Sequence, residues 1–181
     1  SGDMACSDVA INVTLGNSNP FVSAFNITNI DANGLTASAG NPVTGTGFSD
    51  DEIEDDAWTN TTGSSVNVIY TVVPISLNGC PGDFFTVTVQ IKPEPVGANT
   101  SILPNICSDE ALDFDLLGHV PGAANFTYTV ASTDPVGVPP AADRAMASSA
   151  NITDTYTNLT TGEVTITYTV TPISADGCVG E

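Results

Sequence analysis

Apolar and polar residues alternate with a period of two along most of the chain, and Val, Ile, Phe and Tyr dominate the apolar positions. β-Branched and aromatic side chains in this alternation are typical of strands that bury one face. Thr fills most of the intervening positions, as expected for a sheet with one face in water. The pattern predicts an all-β fold with strands at these apolar positions: Val9, Ile11, Val13 and Leu15; Val66, Val68, Tyr70 and Val72; Phe85, Val87, Val89 and Ile91; Leu112, Phe114 and Leu116; Phe126, Tyr128 and Val130; and Val164, Ile166, Tyr168 and Val170.

The chain contains an internal repeat. Residues 70–83 recur as residues 168–181, with nine of the fourteen positions identical at an offset of 98. Upstream, residues 58–63 match residues 156–162 with one insertion, and Cys6-Ser7-Asp8 matches Cys107-Ser108-Asp109. Each copy spans about a hundred residues, the size of an Ig-type sandwich. We therefore predict two tandem Ig-like β-sandwich domains, residues 1–97 and 98–181, joined by a semi-rigid Pro-rich linker at residues 92–99.

The second copy ends early in this alignment. Its last residue, Glu181, aligns with Asp83, so the strand equivalent to residues 84–91 is absent. A sandwich without that strand exposes apolar core and unpaired backbone at its edge. We expect the second domain to lack its C-terminal strand, and the natural chain to continue into a longer array.

Charge is strongly one-sided. Two basic residues, Lys92 and Arg144, stand against 21 acidic residues, for a formal net charge of −19. Nucleic-acid binding needs a basic footprint to neutralise phosphates, and an anionic membrane surface would repel this chain. No run of eighteen apolar residues is present. We expect no nucleic-acid partner and no membrane insertion.

The densest acidic segment is a candidate calcium site. Calcium prefers six to eight oxygen ligands, which carboxylates in one loop can supply. The spacing lacks the pattern of an EF-hand loop, and a solvated acidic loop is the competing interpretation. No other cofactor is expected. The candidate ligands are Asp50, Asp51, Glu52, Glu54, Asp55 and Asp56.

Four cysteines occur as one pair per copy and allow three connectivities. Repeat symmetry favours Cys6–Cys80 and Cys107–Cys178, because each domain would then close itself. Metal or redox chemistry finds little support, since there is no C-x-x-C spacing and only one histidine, His119. Structural disulfides place the chain in an oxidising, extracellular compartment.

The sequence evidence for catalytic or glycosylated residues is weaker than the evidence for disulfide-bonded cysteines. His119 precedes a Val-Pro-Gly turn, and no repeated Ser or Asp completes a triad with it, so we predict no catalytic residue. Asn-x-Ser/Thr triplets make Asn60 and Asn158 candidate glycan sites, and Thr155 is a candidate O-glycan site. Thr-rich alternating strands generate such triplets without any glycan.

Several motifs carry a family resemblance. They are residues 106–109 (Ile-Cys-Ser-Asp), 120–128, 158–161, 168–174, the Gly177-Cys178 corner and, in the first copy, 85–93. Together they resemble PKD-like repeats in large secreted proteins of Bacteroidetes. The resemblance implies Ig-like sandwiches in long arrays that are exported by the type IX route and attached to the cell surface. Giant gliding adhesins are the most similar functional class.

The leading hypothesis is therefore a non-catalytic repeat module of an extracellular adhesin or stalk. Its expected partners are neighbouring repeats of the same chain, surface polysaccharide or other adhesin components. The alternative is a carbohydrate-binding accessory module of a secreted enzyme, with Trp58 as the aromatic residue to test. A polymerising pilin-like subunit ranks last, since only five residues precede Cys6 to serve as a donor strand.

Overall fold

The computed structural model describes residues 3–16, 21–97, 105–147 and 151–180, and every regular element among them is a β-strand. The fold is all-β, as the alternation predicts. The chain divides into two compact units, residues 1–94 and 95–181, which we call repeat 1 and repeat 2. The last two residues of the predicted linker, 98 and 99, lie outside the described residues.

Repeat 1 contains a five-stranded sheet and a two-stranded sheet. The larger sheet has the order β1-β7-β6-β2-β4, and β3 pairs with β5. β1 runs parallel to β7, whereas the other paired strands are antiparallel. The strands are β1 (Asp3–Cys6), β2 (Val22–Asp31), β3 (Thr36–Ala39), β4 (Gly45–Phe48), β5 (Ala57–Thr59), β6 (Val66–Ser76) and β7 (Phe85–Lys92).

The core of repeat 1 lies on the inner face of β6 and β7. Alternate residues of β6, namely Val68, Tyr70 and Val72, have no exposed surface, and Val89 and Ile91 of β7 lie beside them. The predicted period of two therefore holds along both strands. Phe85, at the start of β7, is more exposed, and its ring and that of Phe25 pack in a T-shaped arrangement with centroids 6.4 Å apart.

The predicted strand at residues 9–15 is not a regular strand. Asn12 has a positive φ of 51°, which breaks the extended backbone there. Ile11 and Leu15 are nevertheless buried against the core, while Val9 is half exposed. The Ile11 backbone N–H donates to the Asp56 carbonyl, and the Leu15 backbone N–H donates to the Asp50 carbonyl. The apolar pattern thus predicts burial here but not strand pairing.

Repeat 2 has a smaller sheet with the order β10-β8-β9. Its strands are β8 (Ala123–Ser132), β9 (Arg144–Ala147) and β10 (Ile166–Ser174). The predicted strand at residues 112–116 is reduced to two isolated bridges, Ala111 with Thr155 and Phe114 with Ile152. Leu116, Phe126 and Ile152 form the buried centre of this core.

The two equivalent central strands differ in their neighbours. β6 lies between β2 and β7, whereas β10 pairs with β8 only, among the residues that the structure describes. Val68, Tyr70 and Val72 are fully buried, but their counterparts on β10 are only half buried. Within the described ranges, β10 therefore has no partner on the side where β7 pairs with β6.

Candidate functional site

Repeat 1 has a buried hydrogen-bonded network at the centre of its sandwich. The Trp58 indole N–H donates to the Tyr70 hydroxyl at 3.0 Å, and that hydroxyl donates to Asp56 Oδ2 at 2.9 Å. β5 positions Trp58, β6 positions Tyr70, and the turn before β5 carries Asp56. We call this set the carboxylate–tyrosine network.

Burial controls the protonation of this network. It raises the pKa of Asp56 to about 6, with a further increase from the charge of Asp55, although the Tyr70 hydrogen bond favours the carboxylate. Burial and the Asp56 charge together raise the pKa of Tyr70. Asp56 Oδ1 has no well-formed hydrogen bond, although the Asn41 backbone N–H acts to lower the pKa of Asp56.

Repeat 2 builds the same network from equivalent positions. The Tyr156 and Tyr168 hydroxyls lie 2.6 Å apart, and Tyr168 donates to Asp154 Oδ2 at 2.8 Å. Burial raises the pKa of Tyr168, and the neighbouring Tyr156 raises it further. Unlike Asp56, Asp154 also forms an ion pair with Arg144, whose guanidinium lies over the Tyr128 ring at 5.7 Å.

A second polar network repeats at one end of each sandwich. Asp8 adopts a positive φ, and its side chain accepts hydrogen bonds from Ser7 and Thr59 at 3.0 and 2.7 Å. Burial acts to raise the pKa of Asp8, but these and other hydroxyl hydrogen bonds outweigh it and lower the pKa. The equivalent residues in repeat 2, with the same bonds and the same positive φ, are Ser108, Asp109 and Thr157.

Asn60 and Asn158 organise equivalent turns. Each side-chain oxygen accepts bonds from a Thr two residues later, and each amide donates to a carbonyl four residues later. Thr62 is thus equivalent to Thr160 at the constant offset of 98. The one-residue insertion inferred in this segment from sequence is therefore misplaced, because the hydrogen bonds keep the two turns in register.

The cysteines contradict the predicted pairing. Cys80 and Cys107 are free thiols and exposed, whereas Cys6 and Cys178 are disulfide-bonded. The predicted bonds Cys6–Cys80 and Cys107–Cys178 are therefore not formed. Repeat symmetry correctly matched equivalent cysteines but gave no information on which of them lie close together.

The strand directions of repeat 1 explain this correction. Cys6 pairs with Lys92 at the end of β7, because β1 and β7 run parallel. Cys80 lies in the corner after β6, where its backbone N–H donates to Ser76 Oγ at 3.0 Å. Cys6 therefore lies beside the start of β6 and Cys80 lies beyond its end. The 11 residues of β6 separate the two cysteines along the sheet by about 30 Å at ~3.3 Å per residue. A disulfide requires Cα atoms about 4.4–6.8 Å apart.

Repeat 2 has the same separation. Cys107 adjoins Ser108, which accepts a hydrogen bond from the Asn158 backbone in the turn that precedes β10. Cys178 lies in the corner after β10 and donates from its backbone to Ser174 Oγ at 3.0 Å. The nine residues of β10 lie between the two cysteines and separate them by about 25 Å along the strand direction. Neither repeat can therefore close its own cysteine pair.

A family comparison agrees with this duplicated architecture. The model of the PKD-like domain matches residues 3–95 and again residues 104–181. The chain belongs to the PKD-like domain family. A search of curated proteins found no match. PKD-like domains are typically non-catalytic modules and are usually extracellular. In the part of the chain that the structure describes, no helix is long and apolar enough to cross a membrane.

The acidic segment of the first PKD-like repeat, residues 50–56, does not converge on one point. Asp56 turns inward to Tyr70, and Asp51 accepts a 2.5 Å hydrogen bond from Ser49. Asp51, Glu52, Glu54 and Asp55 border a shallow depression beside Gly40 and Asn41. Within the described ranges, no group of three or more His, Cys, Asp or Glu side chains could hold a metal ion. A calcium site at these residues stays a prediction.

Other candidate residues of the PKD-like repeats have structural partners. His119 Nδ1 lies 2.8 Å from the Asp115 carbonyl, and its ring stacks on Phe114. Trp58 is buried and bonded to Tyr70, so its ring face is not presented to a sugar. The sequence alone did not point to Arg144 as a site residue. The one feature of the sequence that could have singled out Arg144 is that it is one of only two basic residues in the chain.

The candidate glycan positions differ in accessibility. The Asn60 side chain is fully buried, and its amide donates both to Ser64 and to Ile91 carbonyls, so the folded repeat leaves no room for a glycan there. Asn158 is half buried and donates to Gly162. Thr155 is exposed, and O-glycosylation there stays a prediction.

Proposed function

We propose that this chain is a section of an extracellular stalk or adhesin in which PKD-like repeats act as non-catalytic spacers. In this role the repeats carry an adhesive region away from a cell surface. The observation that carries the proposal is the duplication of structural polar networks. The side chains that recur in both repeats, including Asp56, Tyr70 and their counterparts, bond within their own repeat instead of converging on a cleft.

The strong acidity supports display at high density. Like-charged surfaces repel one another, which keeps neighbouring stalks soluble and separate. The formal charge of −19 is spread over both repeats with only two basic residues. A spacer needs this solubility but does not need a charged pocket.

The proposed location of the chain is the cell surface of a member of the Bacteroidetes. We place the chain among gliding-adhesin repeats, exported by the type IX route, on the strength of the motifs around Cys107 and Tyr168 described above. Neighbouring repeats are its nearest partners, and surface polysaccharide or other adhesin components are partners of the assembled stalk.

A bead-capture experiment tests the spacer role. A sugar-binding domain would be attached to beads either directly, through this chain, or through two unrelated β-sandwich domains of similar length. The proposal predicts stronger capture of sugar-coated surfaces through either long spacer than by direct attachment. Equal capture by direct attachment and through this chain would contradict it.

A glycan array with the intact chain separates this proposal from carbohydrate recognition. We expect no saturable binding. Trp58→Ala is unsuitable as a probe, because it removes a buried side chain and a hydrogen bond to Tyr70. Arg144→Ala is better suited, since Arg144 is exposed and borders a shallow hollow lined by threonines. Specific binding that Arg144→Ala abolishes while the fold stays intact would favour the accessory-module alternative.

A further inference from the structure

One side of β10 is an unpaired strand edge in repeat 2. β10 pairs with β8 on one side, and among the described residues no strand pairs with it on the other. Its counterpart β6 pairs on both sides, with β2 and with β7. We call the unpaired side of β10, over residues 166–172, the open edge.

Backbone hydrogen-bonding groups point outward along the open edge. On this side the Gly180 N–H donates to the Pro172 carbonyl at 2.9 Å. Every second residue of an antiparallel strand turns its backbone groups to the same side, and the register between β8 and β10 is regular over these residues. The N–H and C=O groups of Ile166, Tyr168 and Val170 therefore face the open edge, where they form a template for another strand.

The core-facing side chains beside the open edge are incompletely covered. Ile166, Tyr168 and Val170 are half buried, whereas the equivalent side chains of β6 have no exposed surface. In repeat 1 the neighbouring strand on that side is β7, whose Val89 and Ile91 are also fully buried. β7 thus supplies β6 with both backbone partners and apolar neighbours on the side that stays open in repeat 2.

The chain leaves β6 and β10 through equivalent corners. The backbone hydrogen bonds that Ser174 and Gly180 donate in repeat 2 match those that Ser76 and Gly82 donate in repeat 1, because the accepting carbonyls are also equivalent. Each corner lies on the same side of its strand. The open edge of β10 is therefore the edge that corresponds to the β7 side of β6.

We propose that the open edge is a docking site for the β7-like strand of a neighbouring PKD-like repeat, which binds by strand addition. The choice of donor rests on the proposed function, in which neighbouring repeats are the nearest partners. With the β6–β7 register shifted by the repeat offset of 98, the donor's equivalents of Val89 and Val87 lie opposite Ile166 and Tyr168. A β7-like strand fits this acidic chain, since β7 contains no acidic residue and adds no like-charge repulsion.

A synthetic peptide of residues 83–93, which contains β7, is the probe. Added to the intact chain with a reductant present, it should bind saturably and raise the melting temperature of repeat 2. The thermal transition followed by Trp58 fluorescence should stay unchanged, because Trp58 reports on repeat 1 and both sides of β6 are already paired there.

Hydrogen exchange of single amides identifies the edge to which the peptide binds. At saturating peptide, the N–H groups of Ile166, Tyr168 and Val170 should exchange at least about tenfold more slowly, because they gain hydrogen-bond acceptors. The N–H groups of Thr167 and Thr169 face β8 already and should be slowed less.

Two peptide variants separate a docked strand from general apolar adhesion. Val87→Asp places a charge on the core-facing side of the donor strand and should weaken binding more than about tenfold. Thr86→Asp places the same charge on the outer face and should weaken binding less than about threefold, because successive side chains of a strand point to opposite faces.

A charge substitution tests the register. Residue 88 of the peptide should lie opposite Thr167 of β10, as Thr88 lies opposite Ile69 in repeat 1. Thr167→Lys should therefore strengthen binding of the Thr88→Glu peptide about two- to fivefold, since opposite charges attract across paired strands. The Thr86→Glu peptide is the matched control and should gain less, because its charge lies opposite the next outward position.

Several outcomes would overturn the proposal. They are the absence of saturable binding, equal weakening by Val87→Asp and Thr86→Asp, and slowed exchange along β9 instead of the open edge. Without peptide the chain should stay monomeric, since β7 of each copy already lies between β1 and β6; dimerisation through β10 would also overturn it. These measurements do not depend on reach from a surface, so their failure and a failed bead-capture experiment are distinguishable.

Discussion

Asp56 and Asp154 occupy equivalent positions but have different surroundings. Each accepts a hydrogen bond from a tyrosine of the central strand. Asp154 also has Arg144 as an ion-pair partner, whereas Asp56 is 1% exposed and its electrostatic neighbours are carboxylates. The same side chain therefore carries a different free-energy cost of ionisation in each repeat.

The pKa of Asp56 predicts a pH-dependent stability. Between its ordinary pKa of 3.8 and its folded pKa of about 6, the folded repeat retains a proton that the unfolded chain has lost. The contribution of this group to the free energy of unfolding is thus full below pH 4 and lost as the pH rises through 6. Asp56→Asn removes this dependence, so its stability relative to wild type should rise by roughly 2–3 kcal/mol between pH 4 and pH 7.

Chemical denaturation followed by Trp58 fluorescence provides the measurement, since the chain has one tryptophan and it lies in repeat 1. Asp83→Asn, at an exposed carboxylate, makes the same change in net charge and is the control. A difference between Asp56→Asn and wild type that stays constant from pH 4 to pH 7 would contradict the prediction.

Asn60 and Asn158 provide a second comparison at the residue scale. Asn60 is buried and donates to the Ile91 carbonyl on β7 as well as to its own turn, whereas Asn158, among the described residues, donates only to the Gly162 carbonyl of its turn. Asn60→Ala leaves a buried carbonyl unpaired and should cost about 2–3 kcal/mol, against about 1 kcal/mol for Asn158→Ala. Hydrogen exchange measured separately for each repeat gives the loss of unfolding free energy in both variants. Equal losses would contradict a stabilising role for the hydrogen bond from Asn60 to the Ile91 carbonyl.

At the scale of elements, β6 and β10 have nearly the same sequence and different neighbours. β6 pairs on both sides, but β10 pairs with β8 alone among the described residues. Burial of side chains on a strand depends on what covers its face and flanks, so identical residues contribute differently in the two repeats.

Valine truncations on these strands test that difference. Val72 is fully buried, and its counterpart Val170 is half buried. Val72→Ala should destabilise repeat 1 by roughly 2 kcal/mol, whereas Val170→Ala should cost repeat 2 less than about 1 kcal/mol. Hydrogen exchange at increasing denaturant concentration, followed separately in each repeat, measures both destabilisations. An equal loss of stability at the two positions would show that β10 is covered as completely as β6.

At the scale of the whole molecule, the two repeats should unfold separately when the cysteines are reduced. Repeat 2 has the smaller sheet and the less buried central strand, so it should melt at the lower temperature. Far-UV circular dichroism should therefore begin to change before Trp58 fluorescence, which reports on repeat 1. Coincident transitions by the two probes would contradict this expectation.

The same melting experiment with EDTA tests the acidic segment. The described carboxylates of residues 50–56 do not gather around one point, so chelation should leave the melting temperature of repeat 1 unchanged. A decrease of more than about 10 °C would indicate a structural calcium site, since that shift corresponds to roughly 1–3 kcal/mol for a domain of this size.

The sequence alone predicted the all-β class, the duplication and the central strands, because these depend on local alternation and on self-similarity. Alternate residues of a strand point to the same face in any sheet, so the buried face of β6 follows from Val68, Tyr70 and Val72 alone. Only the tertiary structure decided which cysteines can meet. β1 runs parallel to β7 and carries Cys6 to one end of the sheet, whereas the corner after β6 leaves Cys80 at the other. Strand direction is set by non-local pairing, and no pattern within either segment encodes it.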